Sequence, residues 1–231
     1  MLVSAIIPTL NEEENIASTL ESVRQSYSMD ELEIIVADGG STDNTLARIP
    51  DDVIVVNGPR GRAKQMNAGA AAAKGEFLAF IHADTRMLDG WREEIIDLLS
   101  DPWVSGGTFQ CTLEPARGLM WIFNQFTMPA WWKIMYGDQV QFMSHDTFNR
   151  VGKFKEIPLM EDVEMSRALH LNGRIVRSKM RTFTSGRRFL EKGVLKQYWI
   201  NFSCMVRYLY FGATPEDIQQ IYRSSREKNL E

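Results

Sequence analysis

Short apolar runs alternate with stretches of helical periodicity through residues 1–100 of this chain. Strands are expected at Leu2–Ile7, Leu32–Ala37, Val53–Val56 and Phe77–Ile81. Between them the spacing predicts helices at Glu12–Gln25, Thr42–Ile49, Ala63–Ala73 and Trp91–Leu99. Asn11 suits the N-cap of the first, with three glutamates in its opening turn. Apolar runs separated by helices of this length imply parallel βαβ units, with a sheet buried on both faces. Ligands of such open sheets bind beyond the carboxyl ends of the strands.

Beyond residue 104 the pattern loosens. A longer strand is expected at Val104–Leu113, an aromatic-rich helix at Arg117–Met128 and a strand returning to the sheet at Val140–Met143. A short helix is expected near Asp146–Val151. A helix at Glu161–Leu171 stops at Asn172-Gly173, and Arg174–Arg177 reads as a further strand. Two helices, Val194–Tyr210 and Pro215–Arg226, close the chain, the second with Thr214 as N-cap and Pro215 in its first turn.

Composition narrows this little. The 231 residues are 44% hydrophobic and 24% charged, a globular balance. A net charge of −4 gives no reason to expect nucleic-acid binding. The charge is uneven, since from Arg174 to Arg207 nine Lys or Arg stand against one acid, Glu191. A diphosphate, a polyanion or an anionic membrane surface would suit that stretch. Cys111 and Cys204 lie in apolar runs and read as free thiols of a reducing compartment. No secretory leader and no spanning helix is evident, so a cytoplasmic protein with peripheral membrane contact at most is expected. The aromatic helix Val194–Tyr210 is apolar on two sides. Tyr198, Phe202, Met205 and Leu209 form one side, and Trp199, Val206 and Tyr210 the other. Core packing is the default for such a helix; a homodimer contact and a membrane interface are the alternatives.

The segments after the strands carry the chemistry. They are Pro8-Thr9-Leu10-Asn11-Glu12, Asp38-Gly39-Gly40-Ser41, Gly58-Pro59-Arg60-Gly61-Arg62 and His82-Ala83-Asp84-Thr85. A carboxylate at Asp38 can accept hydrogen bonds from a nucleobase or ribose, while the glycines admit backbone close to a ligand. Capping of the following helix by Asp38 or Ser41 is the equal alternative.

Four segments, IIPTLNEEENI, VADGGSTDNT, GRAKQMNAGAAAAKGEFLAFIHAD and PLMEDVEMSRAL, occur in an order and spacing that resembles the family 2 inverting glycosyltransferases. The resemblance covers roughly residues 3–172 and is nearest a compact subgroup with HADT in place of Asp-x-Asp. It implies a GT-A fold: an α/β, Rossmann-like, mostly parallel central sheet flanked by helices, with C-terminal helices appended. One domain, 1–231, would divide into a nucleotide-binding half (1–100), an acceptor half (101–190) and a helical appendage (191–231).

The same resemblance implies transfer of a sugar from a nucleotide sugar, UDP-sugar first and GDP-mannose next, to an acceptor hydroxyl. A lipid-linked acceptor is one of several open options. Pro8, Thr9, Asn11, Glu12, Asp38, Arg62, Ala83 and Asp84 would serve the nucleotide. Asp84 would hold Mn²⁺ or Mg²⁺ together with the nucleotide's phosphates, because a hard cation offsets charge developing on a leaving diphosphate. His82 departs from the family's first acid: a nitrogen ligand, a ribose contact and a support for Asp84 are its alternatives. Asp162 would be the general base beside Glu161; two acids stabilising a helix N-terminus are the plainer alternative. Asp138 and Gln139 would border the sugar pocket, and Arg187 and Arg188 suit bidentate phosphate binding. His145 reads first as a capping residue and second as an extra metal ligand.

Two other functions compete. A non-catalytic nucleotide-sugar-binding module would tolerate the altered metal motif. A sugar nucleotidyltransferase would need a glycine-rich loop after the first strand to cradle a triphosphate. The acidic, glycine-free PTLNEEE argues against the latter.

Overall fold

The computed structural model describes residues 1–25, 27–125 and 139–227. Eight strands form one sheet in the order β3-β2-β1-β4-β7-β6-β8-β5. β1 (Val3–Thr9), β2 (Leu32–Asp38), β3 (Ile54–Asn57) and β4 (Phe77–Phe80) run parallel. Side chains of β1 alternate between two cores, as strand geometry requires. Ala5 and Ile7 meet α1 (Ile16–Arg24) and α3 (Trp91–Leu99) through Ile16, Leu20, Trp91 and Ile95. Ile6 meets α2 (Arg62–Ala72) through Ala63, Met66 and Ala70. α2 lies close because Gly69 has no side chain; a Cβ there would come within 2.5 Å of Ile6 Cγ2.

The second half closes the sheet from the other side. β5 (Thr85–Arg86) follows β4, and β6 (Val104–Glu114) follows α3. α4 (Leu119–Gln125) is clamped to β6 by Asn124, whose side chain accepts from Leu113 N at 3.1 Å and donates to Leu113 O at 2.9 Å. β7 (Gln141–Ser144) runs antiparallel to β4 with Gln141 opposite Phe80, so its first residues arrive where β1, β2 and β4 end. α5 (His145–Arg150) is capped by Ser144, not His145. α6 (Glu161–Asn172) packs on β6 and on β8 (Arg174–Ser185).

β8 is far longer than the expected Arg174–Arg177. A register shift opposite Thr108–Gln110 carries it past polar residues to Thr184, whose hydroxyl meets that of Thr85 at 2.9 Å. α7 (Arg187–Lys192), which the sequence pattern does not announce, leads into α8 (Val194–Tyr210) and α9 (Pro215–Glu227). Thr214 caps α9 as expected, its hydroxyl accepting from Asp217 N at 3.2 Å.

Three other expectations fail. α1 starts at Ile16, not Glu12, because Asn11 takes a left-handed conformation (φ 53°) and caps a different loop. The Thr42–Ile49 helix shrinks to a three-residue 3-10 turn, Leu46–Arg48. Core packing of both sides of α8 is contradicted. Its packed face carries Gln197, Cys204 and Tyr208, while Trp199 and Phe202 are exposed. Cys204 is buried, Cys111 is half-buried, and among the described residues neither is in a disulfide. Among the described residues no helix is long and apolar enough to cross a membrane.

Candidate active site

The loops after β1 and β2 are knitted into one rim. Ser41 Oγ accepts from Asn11 N at 2.9 Å, Asn11 Oδ1 accepts from Thr42 N at 2.8 Å, and Thr45 Oγ1 accepts from Glu12 N at 2.8 Å. Asp38 builds the second loop. Its carboxylate accepts from Gly40 N and Ser41 N at 2.9 Å each and from Ser41 Oγ at 2.5 Å. That accounts for its burial and leaves it, in this conformation, as a loop brace. Gln65, deep on α2, donates to Thr9 O at 2.7 Å and Ala37 O at 2.8 Å, locking the ends of β1 and β2 together. Gly39 leaves room for that amide, since a Cβ there would lie 2.9 Å from Gln65 Cδ.

Not every expected contact faces outward. The Thr9 hydroxyl turns back to Ile7 O at 3.1 Å, buried in the sheet. Ala83 is buried, and its carbonyl accepts from Thr19 Oγ1 at 2.8 Å. Their side chains therefore make the scaffold of the rim, while Pro8 stays half-buried at its edge.

Asp84 and Glu12 form the acidic part of the rim. Burial raises the Asp84 carboxyl above its ordinary range, and the neighbouring Glu12 raises it further, against Arg187 and Arg188. Glu12 is ion-paired with Arg187. The two arginines reach this point because Ser185 N donates to Asp84 O at 3.1 Å, and because Gly186 allows β8 to press against Glu114. A cavity of about 400 Å³ opens beside Asp84, lined also by Asn15, Arg86, Glu114 and Phe183.

His82 links this corner to the next. Burial pushes its imidazole down to about 3, with Arg62 and Arg188 adding to the effect, so the ring is neutral. Two guanidiniums so close oppose a cation at His82, which weighs against the ligand alternative. Arg62, at the start of α2, pairs with Glu161 at the start of α6. Burial drives the Glu161 carboxyl upward and Asp162 adds to the rise, while Arg62 opposes it. Among the described residues, Glu161 Oε2 has no hydrogen-bond partner. Both residues are buried, Asp162 at 8% exposure less completely than Glu161 at 1%. Asp162 Oδ1 accepts from Val163 N at 2.8 Å.

Gln141 holds this helix start in place, donating to Asp162 O at 3.0 Å and Ser166 Oγ at 2.7 Å. Neither Gln65 nor Gln141 was expected from the sequence; a glutamine amid apolar residues of a buried element is the signal that marks both. Gln139 accepts from Arg177 Nη2 at 2.7 Å, and Asp138 lies outside the described residues. His145 sits beside Gly75 at the opposite end of β4, with its Nδ1 3.2 Å from Gly75 O. It is therefore no metal ligand of this rim. Among the described residues no three His, Cys, Asp or Glu side chains converge on one point. Asp84 with Glu12 nearby brings two carboxylates together on the rim.

A mostly parallel sheet of this order, flanked by helices, is the GT-A glycosyltransferase architecture. The pattern of glycosyl transferase family 2 matches residues 4–155, and the chain belongs to that family. Glu161 and Asp162 fall beyond the matched segment. TarS residues 1–349 from S. aureus, solved with UDP-GlcNAc, is similar with a TM-score of 0.66 at 19% identity, over 81% of this chain and 59% of that one. The mannosyltransferase PcManGT from Pyrobaculum calidifontis, solved with GDP-Man and Mn²⁺, gives 0.61 at 20% identity, over 87% and 64%. Glycosyltransferase AglE of Haloferax volcanii is 31% identical over 136 residues, 54% of this chain and 45% of its own length. The UDP-Glc:alpha-D-GlcNAc-diphosphoundecaprenol beta-1,3-glucosyltransferase WfaP of Escherichia coli is 37% identical over 90 residues, 36% of this chain and 35% of its own. The chain thus spans less than half the length of both.

Proposed function

We propose that the chain transfers a sugar, with inversion, from a nucleoside diphosphate to an acceptor hydroxyl. UDP is the favoured nucleotide and GDP the next, in line with the ligands of TarS and PcManGT. One observation carries this reading: a continuous run of ionisable neighbours, Glu12–Arg187–Asp84–Arg188–His82–Arg62–Glu161–Asp162, follows a single rim beyond the strand ends. A carboxylate suited to a cation, two arginines suited to a diphosphate and a second carboxylate suited to a base follow one another along that run, which supports the reading.

Asp162 accepts the acceptor's hydroxyl proton as its oxygen bonds to the anomeric carbon. The bond from that carbon to the diphosphate oxygen breaks on the opposite side, and the nucleoside diphosphate leaves with the electron pair. Arg188, exposed at the rim, and Arg187, released from Glu12, meet the phosphates. Neutral His82 contributes a hydrogen bond without adding charge. The two neighbouring carboxylates, Asp84 and Glu12, fit a hard divalent ion completed by phosphate oxygens. When bound, such an ion neutralises charge on the leaving diphosphate.

The test is release of nucleotide from UDP-, GDP- and dTDP-sugars with Mn²⁺, for the native chain and for Asp84→Ala. Metal-dependent release by the native chain alone supports the proposal. Nucleotide binding without release by either would instead make the chain a binding module.

A further inference from the structure

α8 has a face that, among the described residues, nothing covers. Leu195, Trp199, Phe202, Val206 and Tyr210 recur at helical spacing along one line. Trp199 is 69% exposed, and Leu195, Phe202 and Tyr210 are exposed with it. Phe211, 77% exposed, extends the line past the helix end. The opposite face is the packed one. Cys204 is buried there, and Tyr208 donates to Glu164 of α6 at 3.0 Å. The seventeen residues of α8 include Lys196 and Arg207 and no acid, in a chain whose net charge is −4.

We infer that this face docks on an anionic lipid bilayer, with α8 lying flat in the interface. A row of Trp, Phe, Tyr and Leu at the acyl boundary, flanked by cations and without acids, is the composition such helices need. Charge selects the partner. A second copy of this chain would bring another cationic, acid-free helix against the first, whereas anionic headgroups complement Lys196 and Arg207. α7, which carries Arg187 and Arg188, leads directly into α8, so the docking helix follows the Arg187–Asp84 corner in the chain. Resting on the transfer reading above, this makes the acceptor hydroxyl one presented from the membrane surface. The docking itself needs no turnover.

The experiment is flotation of the full chain with vesicles of phosphatidylcholine alone and with phosphatidylglycerol added, alongside its mass in solution by light scattering. Binding to the anionic vesicles that weakens as salt is raised, with a monomer in solution, is the expected result. Trp199→Ala with Phe202→Ala should weaken partitioning at least about tenfold, and Lys196→Gln with Arg207→Gln should remove the preference for anionic lipid. All four positions lie outside the core, and an unchanged circular dichroism melt confirms that the variants fold. No vesicle binding, binding unaltered by either pair, or a dimer dissociated by Trp199→Ala would overturn the inference. Thermal shift with UDP and Mn²⁺ in the same variants reads the donor site separately, so failure of docking and failure of the transfer reading are distinguishable.

Discussion

Arg62 and Glu161 open two helices, α2 and α6, and join them by an ion pair across 99 residues of chain. Glu161 is almost wholly buried, and Arg62 is about one-third exposed. The pair therefore fixes the first turn of α6, and with it Asp162, against the parallel half of the sheet that α2 covers.

Arg62→Ala should destabilise the fold by about 2 kcal/mol, because a buried carboxyl loses its ion-pair partner. The Glu161 carboxyl already lies above its ordinary range, so the variant's Glu161 takes up a proton readily. A carboxyl whose folded pKa is raised contributes stability below its unfolded value and loses it as pH rises through the folded one. The deficit of Arg62→Ala should therefore widen from pH 5 to pH 8 in urea unfolding. A deficit constant across that range would mean that Arg62 does not compensate Glu161.

Asp162→Asn should lower kcat by roughly 100- to 10,000-fold, the usual span for a lost general base. Thermal stabilisation by nucleotide should be unchanged, since the donor corner proposed at Asp84 is untouched. Asp84→Asn should do the reverse to the metal-dependent part of that stabilisation. Identical loss of nucleotide binding in both variants would place the two carboxylates in one role rather than two.

The parallel strands were legible because burial on both faces makes them near-continuous apolar runs, as in Ile34–Ala37. The residues at their ends were legible for the same reason: β1, β2 and β4 all deliver polar groups to one edge. Asn11 was misread because a cap residue followed by three acids fits a helix start, yet its amide is claimed by Thr42 from another loop. The second half of β8 was missed because Thr182 and Thr184 look solvated, although both are buried. α8 kept its predicted bounds, but which side packs was set by Gln197 and Tyr208, whose partners lie on α9 and α6. Cross-links such as Arg62–Glu161 and Gln141–Asp162 depend on distant elements meeting, which no local pattern encodes.

Gln65→Ala should cost about 2 kcal/mol, since two strand-end carbonyls lose a buried donor and a void replaces the side chain. Gly39→Ala should also destabilise, because its Cβ would crowd the Gln65 amide at 2.9 Å. Residues in contact are not additive. The double variant should therefore be less destabilised than the sum of the two, the alanine methyl filling space that Gln65 vacates. Additive losses in Tm would show that Gly39 is needed for something other than that contact.

His82 gives the fold a specific acid sensitivity. Its folded pKa is about 3, against 6.5 when unperturbed. Between those values the unfolded chain binds a proton that the folded chain refuses, so stability falls as pH is lowered from about 6.5 towards 3. The slope from this residue is at most about 1.4 kcal/mol per pH unit. Arg62 and Arg188 are part of the cause, so high salt should raise the folded pKa and narrow the window from its acid end, leaving the part due to burial. His82→Asn keeps a small polar side chain at the position and has no proton to refuse. Urea midpoints measured at pH 7, 6 and 5 should converge: the native chain loses stability faster than the variant, whose remaining slope reflects carboxyls common to both. Parallel lines for the two proteins would mean that His82 is protonated in the folded chain after all, and that the rim is less sheltered than its neighbours imply.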